Sequence, residues 1–340
     1  MRVGIIGCGW AGIRHARAFE QCGAELRWLV DLQLHKAEAL CGPCAGTRLS
    51  ADYHEALADP ELEAVIVCLP HHLHAPVAIE AARAGKHVLC EKPIAHTLDA
   101  ADRMIEAADR AGVTLMIAEN ERFSPLNRRL SELLREGVIG RPALLQVTRE
   151  CYLTRSFLEE RRWFLDREAA AGGIMMSGGI HDFEKMRMLI GEVESVQALR
   201  ARQRFLEMEG DDTSVALVRF CDGAVGTLVE SFVMKSLATA SGREVHTLRI
   251  DGDLGSLSVW DSTTIRVFSE QPEYLPGGAL AQHDIHVPPA DTFLLEAEHL
   301  LASVRTGADP LTSGRSQRRP LEIVLAAYRS MEIGQPVRLS

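Results

Sequence analysis

A chain of 340 residues, 46% hydrophobic and 25% charged, is long enough to bury a large core and is expected to divide into two domains. Its net charge of −10 argues against a nucleic-acid backbone as partner, with Arg315 and Arg318–Arg319 the one short basic cluster. No stretch approaches the ~20 apolar residues of a membrane span, the N-terminal apolar run has the length of a strand rather than a signal peptide, and eight unevenly spaced cysteines fit a reducing cytoplasm better than a disulfide scaffold.

Val3–Ile6 reads as a strand entering a Gly7-x-Gly9-x-x-Gly12 turn, and a helical pattern opens at once at Trp10 and Ala11. Each glycine has its own task in a dinucleotide-binding turn. Gly7 permits the tight reversal, Gly9 lets backbone approach a pyrophosphate, and Gly12 lets helix and strand pack closely. The phosphates then face the N–H groups and positive dipole end of that helix. A second apolar strand, Leu26–Val30, ends in Asp31, which lies 24 positions after Gly7. That is near the ~20-residue offset of a carboxylate that binds the adenosine ribose. The same carboxylate would repel a 2′-phosphate, so NAD is expected, with NADP the alternative that His35 and Lys36 leave open.

Helical and strand patterns then alternate: helices at Leu34–Leu40, Asp52–Ala58, Pro76–Ala84 and Leu98–Ala111, strands at Ala64–Leu69, His87–Cys90 and Thr114–Ala118. Alternation with short loops predicts a doubly wound parallel sheet. Cys41-Gly42-Pro43-Cys44 matches a redox motif, but it follows a helix, where the dipole raises a thiol pKa, so it reads as a connecting loop. Glu91 and Lys92 close a buried parallel strand, at the edge where open α/β sheets bind ligands. The Lys92–Pro93 bond is a candidate for the cis isomer.

From Pro125–Glu136, a helix, the pattern changes. Two glycine pairs, Gly172-Gly173 and Gly178-Gly179, precede a helix over Ile180–Ile190. Strand then follows strand: Ser195–Phe205, Ser214–Phe220, Ala224–Phe232, His246–Ile250, Ser256–Trp260 and Ile265–Phe268, with a Cys221-Asp222-Gly223 hairpin turn. This predicts an open, mostly antiparallel sheet. Tyr152–Arg167 and Gln271–Ile285 read as loops that set specificity, and helices over Thr292–Arg305 and Arg318–Met331 close the chain. The expected division is a nucleotide-binding Rossmann domain over residues 1–120 and an α+β substrate-binding and oligomerisation domain over 121–340, its last helix free to pack back on the first. An open sheet must cover one face, so a homodimer or homotetramer is expected.

The glycine turn, Ala84-Gly85-Lys86-His87-Val88-Leu89-Cys90-Glu91-Lys92-Pro93, Pro70-His71-His72-Leu73-His74, Asn120–Pro125, Gly172–Glu184 and Ala326–Ser330 together resemble the glucose–fructose oxidoreductase / inositol dehydrogenase / rhizopine catabolism (Gfo/Idh/MocA) family over essentially the whole chain. The resemblance implies an NAD(P)-dependent dehydrogenase or reductase acting on a CH–OH group of a sugar, sugar derivative or cyclitol. It makes Lys92 the active-site lysine and His181 the general acid/base. A base is needed because hydride leaves carbon only as the hydroxyl proton departs, and a neighbouring ammonium stabilises alkoxide character. Leu69, His71, His74 and Glu91 would join the glycine turn and Asp31 around the cofactor, the histidines lying over the nicotinamide ribose rather than binding a metal. Arg122, Ser177 and Glu184 would line the substrate. Ser177 and Glu184 stand where the family commonly has Asp, which bears on the choice of substrate. Two rivals remain: an NAD-retaining glycosidase or lyase-like enzyme working by transient oxidation, and a non-catalytic NAD- or sugar-responsive regulator.

Overall fold

Strand and helix alternate over the first 120 residues of the computed structural model, which describes residues 1–41, 46–203, 208–236 and 244–339. The order is β1 (Arg2–Ile6), α1 (Trp10–Gln21), β2 (Glu25–Val30), α2 (Leu34–Cys41), β3 (Arg48–Ser50), α3 (Tyr53–Leu57), β4 (Ala64–Val67), α4 (His74–Arg83), β5 (His87–Glu91), α5 (Leu98–Ala111) and β6 (Leu115–Ala118). The six strands form one parallel sheet in the order β3-β2-β1-β4-β5-β6. Its central strands are apolar throughout because helices cover both faces, and Ile5, Leu29, Ile66, Leu89 and Met116 have no exposed surface. Burying each such side chain contributes about 1.5–3 kcal/mol. Local signals set the boundaries. Thr97 caps α5 by accepting the Ala100 N–H at 3.1 Å, and Gly112 ends it in the left-handed region.

The later chain builds α6 (Pro125–Arg135), β7 (Pro142–Glu150), α7 (Arg155–Glu160), α8 (Arg167–Ala170), α9 (Ile174–Ser177), α10 (Gly179–Leu189), β8 (Val193–Arg200), β9 (Thr213–Phe220), β10 (Val225–Ser231), β11 (Val245–Gly252), β12 (Gly255–Val259), β13 (Thr264–Ser269) and β14 (Gln282–His286). After them come α11 (Thr292–Thr306), α12 (Gly314–Ile333) and β15 (Val337–Arg338). The second sheet runs β14-β13-β12-β11-β7-β10-β9-β8-β15, antiparallel except where β10 lies parallel to β7. Asp222 and Gly223 make the expected hairpin turn, with Gly223 at φ 95°.

Two compact units result: Met1–Asn120 with Asp291–Arg319, and Glu121–Ala290 with Pro320–Ser340. Residues 312–313 pair with β6 at the sheet edge, Thr312 O accepting the Ile117 N–H at 2.8 Å, which covers an otherwise open edge. Several elements differ from the sequence reading, the short strands β3 and β15 among them. Tyr152–Arg167 contains α7, and the segment between the glycine pairs forms α9. Gln271–Ile285 contains most of β14, whose five residues are too short for alternation to stand out beside Pro272 and Pro276. Finally, α12 starts at Gly314 and continues through Pro320, a residue that usually starts or breaks a helix. Cys44 and its neighbours 42–45 lie outside the described residues.

Candidate active site

In the first unit the glycine turn has the geometry that its residues demand. Gly7 has φ 98°, and a Cβ there would lie 2.2 Å from the Cys68 carbonyl oxygen. A Cβ on Gly12 would lie 2.0 Å from the Gly7 carbonyl oxygen, so only glycine lets α1 approach β1 this closely. Around Gly9 nothing lies within 4 Å of a Cβ position, and no side chain caps α1. Open space before an uncapped helix N-terminus is the cradle a pyrophosphate requires, so the residues fit a dinucleotide. Trp10 is 58% exposed at the head of α1, edge-on to Phe293 at 5.9 Å, with Ala11 half-buried beside it. Asp31 follows β2 and accepts backbone N–H groups from Cys8 at 2.9 Å and Gln33 at 2.8 Å, which orients its carboxylate beside the turn.

Glu91 ends β5, with Lys92 next and a cis bond to Pro93. His15 of α1 donates from Nε2 to Glu91 Oε1 at 3.0 Å, while Glu91 Oε2 accepts the Lys92 N–H at 3.2 Å. Burial works against the Glu91 carboxylate, but the His15 hydrogen bond and the Lys92 charge hold its pKa below the usual range. Leu69 is half-buried and His71 buried, in the turn after β4. His74, the first residue of α4, is fully buried with Nδ1 2.7 Å from Pro93 O and Nε2 2.8 Å from Leu69 O. Burial lowers the His74 pKa, against the two carbonyls, which favour the cation. Its ring nitrogens are thus engaged within the protein.

The second unit carries His181, Ser177, Glu184 and Arg122. Ser177 ends α9, half-buried, and His181 sits half-buried in the first turn of α10. Tyr328, from α12, pins the glycine-rich approach to these helices. Its hydroxyl accepts the Gly173 N–H at 2.9 Å and donates to Asp211 at 2.7 Å. Glu184 is buried between Arg187 at 2.7 Å and Arg122 at 3.5 Å, so the structure brings Arg122 and Glu184 together.

Behind His181 lies a charged network that composition and motif reading did not reveal. Arg149 of β7 donates to both Asp182 oxygens, at 2.6 and 3.1 Å, and to Glu121 at 2.8 Å. Lys185 reaches Glu121 at 2.7 Å and Asp182 at 3.1 Å, and His246 Nε2 lies 2.9 Å from Asp182. Burial opposes all these charges. Even so, Arg149 and Lys185 hold the Glu121 and Asp182 carboxyls well below their ordinary range, with His181 and His246 adding to the effect on Glu121. Ligand atoms of Glu121, Asp182 and His246 lie within 4.8 Å of one another, a spacing that could suit a metal. Two fixed cations already balance these carboxylates, which makes the cluster an ion-pair network.

Sheet register explains the assembly. His246, Arg149 and Glu230 are direct partners across β11, β7 and β10, so they share one face of the sheet. Glu230 is wholly buried against Gly178 and Gly179. A Cβ on Gly179 would lie 2.7 Å from Glu230 Oε2, so glycine there lets the carboxyl underlie the start of α10. Among the described residues neither Glu230 oxygen has a hydrogen-bond partner, and burial followed by the Asp182 charge pushes its pKa well up.

A parallel sheet with a dinucleotide turn, an acid closing the second strand and a Glu-Lys-Pro edge, joined to a mixed open sheet, define a two-unit nicotinamide-dependent oxidoreductase. The family model described as an oxidoreductase family with an NAD-binding Rossmann fold matches residues 1–119, and its C-terminal domain model matches residues 127–258. The chain belongs to this Gfo/Idh/MocA family. Myo-inositol 2-dehydrogenase of Thermotoga maritima is 28% identical over 100% of this chain and 98% of its own length. The NAD-dependent scyllo-inositol 2-dehydrogenase of Bacillus subtilis is 26% identical over 100% and 96%. A levoglucosan dehydrogenase solved with NADH and levoglucosan shares the fold at a TM-score of 0.88, with 23% identity over 99% of each chain.

Proposed function

We propose that this protein transfers hydride between NAD and a hydroxyl or ketone carbon of a sugar, sugar derivative or cyclitol, with Lys92 and His181 serving one transition state. The reading rests above all on the Glu91–Lys92 segment, which ends a buried parallel strand and is tied through His15 to the helix that follows the glycine turn. The nicotinamide supplies the hydride acceptor or donor. Gly7, Gly9 and Gly12, with Trp10 and Ala11 opening α1, hold the pyrophosphate, and Asp31 holds the adenosine ribose. Lys92 places its ammonium at the reacting oxygen and stabilises alkoxide character there. His181 accepts the hydroxyl proton during oxidation and returns it during reduction. Arg122, Ser177 and Glu184 contribute to the substrate pocket, where the absence of a carboxylate at 177 shifts selectivity away from relatives with Asp at that position.

A homo-oligomer is part of the same reading. Leu199, Val215, Leu217 and Val225 are 39–66% exposed on one face of β8, β9 and β10, a row of apolar side chains that a second copy would cover. A cytoplasmic location fits Cys8, Cys22, Cys68, Cys90, Cys151 and Cys221, which are free thiols.

The test is a screen of sugars and cyclitols for NADH formation, followed by kinetics of variants. Lys92→Met should keep NAD binding and lose most turnover. His181→Ala should lose a proton-transfer contribution of roughly 10²- to 10⁴-fold, and the double variant should lose less than the product of the two losses. Near-normal turnover in His181→Ala would remove it as the base. Cofactor retained through gel filtration without net NADH formation would point instead to transient oxidation, and binding without any conversion to a regulator.

A further inference from the structure

Two buried histidines stand on either side of Lys92 in the first unit: His15, given no role above, and His74, expected from the sequence as a neighbour of the cofactor. We infer that His15 and His74 form a bracket that fixes the backbone on each side of Lys92, His15 through Glu91 and His74 through Pro93, which makes both of them positioning residues. This inference rests on the reading of Lys92 as the active-site lysine.

One carboxylate carries the first arm. Glu91 takes the His15 ring on Oε1 at 3.0 Å and the Lys92 N–H on Oε2 at 3.2 Å, so helix α1 is joined to the Lys92 backbone through two hydrogen bonds. Because Glu91 is held ionised, the His15 nitrogen facing it carries the proton. The second arm runs through α4. His74 Nδ1 lies 2.7 Å from Pro93 O and Nε2 2.8 Å from Leu69 O; with its single N–H on Nδ1 the neutral ring holds the residue after Lys92 to α4, its other nitrogen packed against Leu69 O.

Both imidazoles have no exposed surface. An apolar side chain would fill either space without desolvating a polar ring, so packing alone does not account for two histidines here. What they add is direction: a short hydrogen bond in a dry interior holds its partner more tightly than contact does. The His15 ring is itself held edge-on to Phe293 of α11 at 4.9 Å, with Glu296 Oε2 of the same helix 4.0 Å from Nδ1. Glu296 is fully buried, and burial, then the Glu91 charge, pushes its pKa well up. The bracket also places the nucleotide-binding helix and the lysine on one rigid path, since α1 begins at the glycine turn and carries His15.

The experiment uses the full chain and two measurements: amide hydrogen exchange of the peptide covering residues 88–95, and steady-state kcat and KM for NAD with the substrate found by screening. His15→Phe and His74→Phe should each speed exchange in that peptide by about tenfold, with peptides from β9 unchanged. Their kcat should fall by about 10- to 100-fold, as expected for a catalytic group displaced by an ångström or less, while KM for NAD stays within about threefold. His15→Gln keeps an N–H donor towards Glu91 and should restore protection and most of kcat. Combined with Lys92→Met, neither substitution should cost further turnover. Unchanged exchange over 88–95 in both Phe variants overturns the bracket, as does a Gln variant as impaired as Phe, which would mean packing alone. Should His15→Phe not fold, His15→Met against His15→Gln makes the same comparison. Normal turnover in Lys92→Met would instead defeat the catalytic reading, and the exchange data would still decide the bracket.

Discussion

Replacing Arg149 by Met asks whether the ion-pair network behind His181 is held together by that one guanidinium. Arg149 donates to Asp182 twice and to Glu121 once, with a further bond to Glu244, and it is buried. Methionine fills most of its volume and none of its charge. Removing one partner of a buried pair costs about 3–5 kcal/mol. Lys185 remains 2.7 Å from Glu121 and 3.1 Å from Asp182, which places the expectation at the lower end, about 3 kcal/mol. At about 2–4 °C per kcal/mol for a domain of some 150–250 residues, the unfolding midpoint should drop by roughly 6–12 °C. The pH dependence follows from the direction of the shifts. Asp182 and Glu121 are held well below the usual carboxylate range against burial, by Arg149 first. Their contribution is therefore complete above the unfolded-state pKa of about 4 and is lost as pH falls through the depressed folded-state values. In the Met variant the same buried carboxyls move upward and take up protons on acidification, which relieves their unpaired charge. The stability difference should be largest above about pH 5 and should narrow below about pH 4. Urea unfolding of both proteins at several pH values measures it. A difference under about 1 kcal/mol at pH 7, the worth of an exposed pair, or one that does not narrow in acid, would refute the reasoning.

Asp31→Ser should weaken NAD binding by about 1.5–3 kcal/mol, the worth of hydrogen bonds to a charged group, and should narrow the preference over NADP; a wild-type enzyme that already prefers NADP would contradict the assignment. Changing Cys41 and Cys44 together to Ser should leave turnover intact, and activity that follows their oxidation state would show the pair to be functional. Leu217→Glu places a charge in the middle of the exposed face of β9, and sedimentation should then report a smaller species than wild type. An unchanged mass would assign the interface to another surface.

Periodicity carries a sequence reading as far as burial is decided locally. Among the parallel strands, β4 and β6 could be read because they are apolar from end to end, and α5 because its pattern stops at Gly112, whereas the three residues of β3, Arg48–Ser50, carry no apolar run and were missed. The antiparallel strands emerged as strand following strand with no helix between them. Charged side chains are where the same method stopped. Asp182 and Lys185 look like charges that a helix would leave in solvent, yet both are buried. Their burial depends on Glu121, Arg149 and His246, which come from separate elements, and no local window contains that information. His15, Glu91 and Glu296 meet in the same way from α1, β5 and α11.

A usable signal was nevertheless present. On β7, Leu145, Val147 and Arg149 lie in phase on one face, as do Leu228 and Glu230 on β10 and Ile250, Leu248 and His246 on β11. In each strand the buried apolar row ends in a charged or titratable residue, and in the folded sheet those three ends fall side by side. Burying such a group costs several kcal/mol unless it is paired. A sequence that places buried Arg149 and Glu230, with half-buried His246 beside them, in register with its core therefore gives up stability where a site needs fixed charge, under the helix that carries His181. Departure from the binary pattern, read strand by strand and in phase, points to this end of the sheet without any family motif.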